Sequence, residues 1–429
     1  MDSPPLDAQS SFPPPTGLAL ASLVLGIAAV GLSFLIIGVL SGIIGLVLGL
    51  VYLSKKRGPT GMARWGVGLS IFGILASLGF FALYYYSFKS MGLGLGSVGS
   101  ATTINVTVGS VSPLPASPSP LKSNLLWTAS MPGAMGMCAG DWPGGGSPSV
   151  LVAVGTSLHV LDFAGHEKSI MGLPESFTSI ECGRDSTGPL LLGYSPWGGR
   201  AAVMNPSGKT IWTPRAITGL DGAHWGDVDG NGNDDLVLGM NGFGGLALYS
   251  SDVKKLWSAG LANVWNQAII PPSSNRPAMI LATDAGGSVN IFDKTGTRLN
   301  ILHPATGYYA EMAAGATESN AVQILGFSGT TVEAFDLAGK PAWITSALTL
   351  APNGRPGAVL GDFGGDGAKE WAFVDGGGDM VLATASGQKA CAIAGQNRIQ
   401  GLAVGRRPGQ GDLLLVLDAG MVRAYSFSH

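Results

Sequence analysis

Leu220-Asp-Gly-Ala-His-Trp-Gly226, Asp227-Val-Asp-Gly-Asn-Gly-Asn-Asp-Asp235 and Leu236-Val-Leu238 form an apolar stretch, an Asp- and Gly-rich turn and a second apolar stretch. A Gly turn, a third stretch and a Trp-bearing fourth, Lys255-Leu-Trp-Ser258, complete the unit. Aligning the first turn of seven such units gives Gly140, Gly183, Gly226, Pro271, Gly315, Gly361 and Gly405, spaced by 43, 43, 45, 44, 46 and 44 residues. A period near 44 with four strands per unit is the signature of a β-propeller. The expected fold is therefore an all-β, seven-bladed propeller of four-stranded blades over residues 125–429. Second strands such as Leu151-Val-Ala-Val154 and Leu413-Leu-Leu-Val-Leu417 are apolar on both faces, as sheets packed between two neighbours require. The seventh unit stops at its third strand, Val422-Arg-Ala-Tyr-Ser-Phe427, whereas Leu125-Leu-Trp-Thr-Ala-Ser130 has the look of a displaced fourth strand. Pairing the two closes the ring and covers an edge that would otherwise invite aggregation.

Composition agrees. Only 12 % of the 429 residues are charged and mean hydropathy is +0.33, which excludes a disordered chain. The 67 glycines follow no Gly-X-Y period, which excludes collagen and suits many tight turns. From residue 125 onward there are 18 basic and 25 acidic residues, a net of −7. That balance disfavours nucleic acid and anionic lipid as partners of the propeller and is compatible with divalent cations.

Ahead of the repeats, Gly17 to Leu53 is a 37-residue run without charge, beyond the ~20 residues that span a bilayer. It reads as one long span or a hairpin of two short ones. A second apolar run covers Trp65 to Phe88, giving a transmembrane helical region at 17–88 with two or three spans, after a Pro-rich tail at 1–16. The intervening loop, residues 54–64, holds four positive charges and no negative one. By the positive-inside rule it faces the cytoplasm, so the last span delivers everything after residue 88 to the other side. Glycines at 26, 31, 38, 42, 45 and 49 suit close helix packing in lipid and also fit the ordinary glycine content of membrane helices. Residues 89–124, ending in Pro113-Leu-Pro-Ala-Ser-Pro-Ser-Pro120, read as an extended spacer. The stretches Ala21-Ser-Leu-Val-Leu-Gly-Ile27 and Arg64-Trp-Gly-Val-Gly-Leu-Ser-Ile-Phe-Gly-Ile74, with the basic loop between them, resemble the bacterial membrane domain known as domain of unknown function 4190. The resemblance implies an anchor in the bacterial cytoplasmic membrane and, with the loop charges, an extracytoplasmic propeller.

The sharpest local chemistry is the turn of the third unit. Asp227, Asp229, Asn231 and Asp235 place oxygen side chains at loop positions 1, 3, 5 and 9, Gly232 sits at position 6, and Asn233 can add a backbone carbonyl. Hard oxygen ligands at that spacing point to calcium, and position 12 is Leu238 rather than the bidentate Glu of an EF-hand. The same composition also fits a metal-free Asx turn. The sixth unit keeps Asp362, Asp366 and Glu370 at positions 1, 5 and 9 but lacks position 3, a less complete second site.

These two loops resemble the FG-GAP repeat of integrin-type propellers and the related VCBS repeat. Phe335-Asp-Leu-Ala-Gly-Lys-Pro-Ala-Trp343 and Asn205-Pro-Ser-Gly-Lys-Thr-Ile-Trp212 are similar to segments of quinoprotein-like propellers. In the integrin-type family calcium stiffens the loop between strands 1 and 2, and ligands are met on the opposite face. The resemblance implies that here this face carries Trp197, Arg200, Asn241, Phe243, Trp265, Tyr308, Tyr309 and Arg355. Exposed aromatic and Arg residues are typical interface anchors. By contrast Trp127, Trp212, Trp257 and Trp343, on fourth strands, are expected to pack in the core.

No catalytic set stands out. The five histidines form no metal-spaced cluster, and His224 reads as a satisfied strand histidine. Cys138 and Cys182 fall two and one residues before their turn glycines, an offset that points them to opposite faces of their strands, so free buried thiols are expected. The role these observations suggest is a binding or scaffolding module for an envelope protein or a glycan. A carbohydrate-binding module and a quinoprotein-like enzyme using the central channel stand as rivals.

Overall fold

Seven sheets make up the larger of two units in the computed structural model, Met1–Gly94 and Leu95–His429. The structure describes residues 21–22, 24–25, 37–55, 60–90, 102–105, 110–143, 148–197, 200–214, 219–242, 244–303, 309–317, 321–349, 357–395 and 399–429. Tail 1–16 and positions 26–36, 56–59, 243, 308 and 355 lie outside them.

The first unit contains helices Ile37–Ser54 and Gly61–Ser90. Within the second, Gly61–Gly79 is long and apolar enough to cross a membrane, with a mean hydropathy of 1.4. Gly42 and Gly49 let the helices approach: a Cβ on either would lie 2.7 Å from Ile74 or 2.5 Å from Val67. Ser22 donates its hydroxyl to the Gly45 carbonyl at 3.0 Å.

The second unit is a seven-bladed propeller. Each blade has four antiparallel strands, consecutive in sequence in all but the seventh, and the innermost are Ala134–Gly140, Ser179–Asp185, Leu220–Gly226, Gln267–Ile270, Glu311–Ala316, Ala358–Gly361 and Ile399–Gly405. Ring closure follows the sequence expectation and starts three residues earlier. Lys122–Ser130 lies antiparallel to Met421–Ser428, from Lys122↔Ser428 to Ser130↔Met421. The cores lie between blades: Leu151 and Val160 of blade 1 pack with Leu191 and Met204 of blade 2, and this pattern explains why second strands are apolar on both faces.

Three fourth-strand tryptophans hold neighbouring blades together. The indole N–H of Trp127 donates to the Phe163 carbonyl (2.8 Å), Trp257 to Lys294 (3.0 Å) and Trp343 to Ala385 (3.1 Å), each on the next blade. The rings lie over turn glycines 165, 296 and 387, all at positive φ, where an added Cβ would come within 2.5–2.7 Å. Only glycine meets both demands at little cost. Trp212 instead faces Tyr249, its ring 5.4 Å away, and the matching turn of blade 3 puts Val253 at φ 57°.

The described part of segment 89–124 corrects the spacer expectation. Thr102–Asn105 adds a parallel fifth strand to the outer strand Arg298–His303 of blade 4. Leu114 packs near Trp343 of blade 5. Residues 115–121 then follow blade 6, with Lys389 N–H to Pro115 O at 2.7 Å and Leu121 N–H to Ala390 O at 2.7 Å. Outer strands present unpaired backbone groups, and a Pro-rich strand lacking N–H donors is tolerated at such an edge. The segment's described residues from 102 onward therefore run as a strap along the outer edges of blades 4 to 6.

Candidate functional site

Connections between first and second strands all emerge on one face of the propeller, because every blade repeats the same antiparallel order. On this face the loop of blade 3 is knotted by its own carboxylates. Asp227 accepts N–H bonds from Gly230 (2.7 Å), Asn231 (3.1 Å) and Gly232 (3.0 Å). Asp229 accepts from the Asn231 backbone (3.0 Å) and side chain (2.8 Å), and Asn231 Oδ1 accepts from Asn233 N–H at 2.7 Å. Asp235 is buried and accepts from Val228 N–H at 3.2 Å. Burial, reinforced by the charges of Asp229 and Asp227 and partly offset by that N–H, pushes Asp235 up to about 6. No ion pair reaches Asp227, Asp229 or Asp235 among the described residues.

Blade 6 repeats the pattern. Asp362 accepts from Gly365 (2.7 Å) and Gly367 (3.0 Å), and buried Glu370 accepts from Phe363 N–H at 3.1 Å. Burial pushes Glu370 up to about 7. Asp366 here lies 3.7 Å from the imidazole of His429, and Lys369 is within electrostatic reach of Asp362. Both loops are also clasped to a neighbouring blade. Asp234 accepts from Arg184 N–H at 2.9 Å, and at the equivalent position Asp412 accepts from Asp362 N–H at 3.0 Å.

The donor chemistry of blade 3, the acidic side chains of Asp227, Asp229 and Asp235 plus amide oxygens, suits a hard dication. Among the described residues no three His, Cys, Asp or Glu side chains converge as a ready metal cage. The loop is shaped by bonds to its own backbone N–H groups, and any metal would share those carboxylates.

The opposite face separates the expected ligand residues. Trp197 is 58 % exposed at φ 64°, a strained conformation for a large side chain. Arg200 is exposed and pairs with Glu175 at 3.2 Å. Asn241 caps its own turn through Gly242 N–H at 2.5 Å, and Trp265 is half-buried. Phe243, Tyr308 and Arg355 fall outside the described residues. Tyr309 corrects the expectation: it is fully buried, donates to Glu333 at 2.8 Å and stacks on Phe335. Its ring occupies the space left by Gly326, where a Cβ would lie 2.4 Å away.

The thiol expectation is also corrected. Cys138 and Cys182 form a disulfide between the innermost strands of blades 1 and 2, with Cα atoms 5.8 Å apart, and Cys391 alone is free and buried. Opposite orientation within each sheet was the right premise. Adjacent blades stack face to face, so side chains on opposite faces of neighbouring sheets meet.

Both cysteines line a cavity of about 620 Å³ along the channel axis. Its wall combines apolar groups such as Met137, Ile180, Met312 and Leu402 with His224, whose Nδ1 lies 3.6 Å from Glu181 Oε1. Burial opposes the charge on His224, but the neighbouring Glu181 carboxylate outweighs it and raises the pKa. This pair went unread in the sequence. Glu181 and His224 each stand two residues before the turn glycine of successive repeats, a placement that marks them as neighbours across adjoining inner strands.

No family model and no curated protein matches the sequence. Solved structures do. The crystal structure of BBS1N in complex with ARL6DN matches with a TM-score of 0.53 and 13 % identity, covering 74 % of this chain and 98 % of that one. A streptogramin B lyase structure matches with a TM-score of 0.51 and 14 % identity, covering 72 % and 98 %. At such identities the likeness is one of fold.

Proposed function

We propose that the chain is a membrane-anchored, extracytoplasmic propeller that binds or scaffolds another macromolecule, with the blade 3 loop stiffened by calcium. The observation that carries the location is the Cys138–Cys182 disulfide, because such bridges persist in oxidising compartments. The four-cation loop at 54–64 supports the same side for the C-terminal unit through the positive-inside rule. Recognition is supported by Trp197 and Arg200, which stand out from the face opposite the acidic loops. BBS1N, of similar fold, is itself described in complex with another protein. A quinoprotein-like or lyase-like enzyme is the second reading, favoured by the His224–Glu181 pair in a roomy channel. Turnover abolished by His224→Gln would replace the first reading with it.

The location is tested by fusing alkaline phosphatase after His429. Activity in cells is expected, and an inactive fusion with reduced cysteines would overturn the assignment. Binding is tested by cross-linking the intact protein in its native membrane. A macromolecular adduct is expected whose yield drops about tenfold in Trp197→Ala, as for an anchor worth at least 1.4 kcal/mol. An unchanged adduct would move the interface elsewhere.

A further inference from the structure

Three cationic side chains gather at one mouth of the channel although the propeller as a whole is acidic. Arg276, Lys369 and Arg406 leave the first-to-second-strand connections of blades 4, 6 and 7, so they share one face, and all three line the same cavity. Lys369 lies within electrostatic reach of both arginines. Each side chain is tethered by a backbone carbonyl. Lys369 Nζ donates to Ala316 O at 2.8 Å on blade 5, Arg406 Nη2 to Leu360 O at 3.4 Å on blade 6, and Arg276 Nη2 to Pro271 O at 3.0 Å.

Three carboxylates are nearby, and Glu181, in the wall of the same cavity, lies 3.6 Å from His224. Asp412 is held by Arg406 at 2.8 Å and by Asp362 N–H, and Asp362 is turned to the N–H groups of its own loop. Among the described residues Lys369 makes no ion pair, and its hydrogen bond goes to a neutral carbonyl. Lys369 is repelled by both arginines, and an anion bridging the three side chains relieves that repulsion. Behind the charges the cavity continues past Ala268, Met312 and Leu402, apolar surface that free phosphate would not use.

We propose that this mouth is a binding site for a small oxyanion, its charged head held by Arg276, Lys369 and Arg406 and any further body lying in the channel. Blade stapling is the competing role for the same side chains, and binding separates the two.

The test is calorimetric titration of the full chain in detergent, at low salt and with chelator present. Inorganic phosphate supplies charge alone, and phthalate supplies two carboxylates on an apolar ring. Saturable binding is expected for at least one, weakened about tenfold or more in Lys369→Gln and in Arg406→Gln, as loss of one charge-assisted contact requires. Lys389→Gln, on the outer strand of blade 6, should bind as wild type. Tighter phthalate binding assigns an organic anion, and tighter phosphate binding an inorganic one. The site is overturned if neither anion binds below the order of 10 mM, about −2.7 kcal/mol, or if both variants bind as wild type. Should Lys369→Gln fail to fold, the exposed Arg406 variant decides alone.

Discussion

In the blade 3 loop Asp227 gathers three backbone N–H groups and Asp229 two further donors; in blade 6 Asp362 gathers two, and the counterpart of Asp229 is Gly364. Buried Asp235 and Glu370 close both loops through the N–H of the residue after position 1. The surroundings differ. Blade 6 has Lys369 within electrostatic reach of Asp362 and the His429 imidazole 3.7 Å from Asp366. Blade 3 leaves the carboxylates of Asp227 and Asp229 without an ion pair among the described residues, and their charges reinforce the rise in the Asp235 pKa. A common backbone knot thus yields one loop whose carboxylates have no ion pair among the described residues and one with a lysine and an imidazole close by, a contrast that the calcium proposal turns into a test.

The largest test of that contrast is calcium itself. With free calcium a hundredfold above the dissociation constant, stabilisation is about 2.7 kcal/mol, read as a rise of several degrees in melting temperature. Asp229→Ala should abolish the rise and Asp366→Ala should leave it. An equal response of the two variants would erase the distinction between the loops. Without calcium the backbone knot is probed alone. Asp227→Ala should cost about 2 kcal/mol in chelator, since charged acceptors of buried N–H groups are worth ~1.5–3 kcal/mol each and less in a partly exposed loop. Asp362→Ala, with one fewer N–H to orphan, should cost less. Denaturant midpoints for the two variants decide, and a reversed order would mean that the clasp to Asp412 dominates blade 6.

Much of this architecture could be read from residue order because the signals repeat. Turn residues recurring every 43 to 46 positions and a Trp-bearing strand stranded at residue 125 were enough for seven blades and their closure. What escaped depended on relations between repeats. The face of each cysteine was legible, but the bridge required knowing that the back of blade 1 meets the front of blade 2. Tyr309 looked like a loop aromatic because the cavity it fills is made by a glycine 17 positions later, Gly326. The Pro-rich strap has no two-residue alternation, since its pairing uses backbone at a sheet edge and buries only isolated side chains such as Leu114. The metal-type loop was legible as composition alone, and the competition of its N–H groups for the same oxygens was not.

Acidity separates the loops more finely. Glu370 stands near 7 in the folded chain against about 4.3 when unfolded, so the native state holds its proton more tightly. Stability from this residue is therefore greatest at low pH, falls between about pH 4.5 and 7, and is level above that window. Glu370→Gln should flatten this decline and raise stability at pH 8 by about 1 kcal/mol, because the amide oxygen still accepts from Phe363 N–H. Asp235 imposes the same sign between about 4 and 6. Calcium should erase the slope in blade 3 by favouring the carboxylate, while blade 6 keeps its slope. Chemical denaturation across pH, with and without calcium, provides the measurement, and a slope insensitive to Glu370→Gln would refute the assignment.

The smallest effect is expected from supplying the ligand that blade 6 lacks. Gly364 is not among the glycines at positive φ, and a Cβ there would meet nothing nearer than 3.3 Å, so Gly364→Asp is sterically admissible. The new carboxylate restores position 3, yet Lys369 still lies within electrostatic reach of the loop. The added calcium response should therefore stay below about 1 kcal/mol, the scale of one partly screened charge contact. Combining it with Lys369→Asn removes the internal cation and should enlarge the response toward that of blade 3. If the single substitution alone matches blade 3, ligand count and not the resident cations sets the difference between the loops. If the double variant shows no gain over the single one, Lys369 has no part in it.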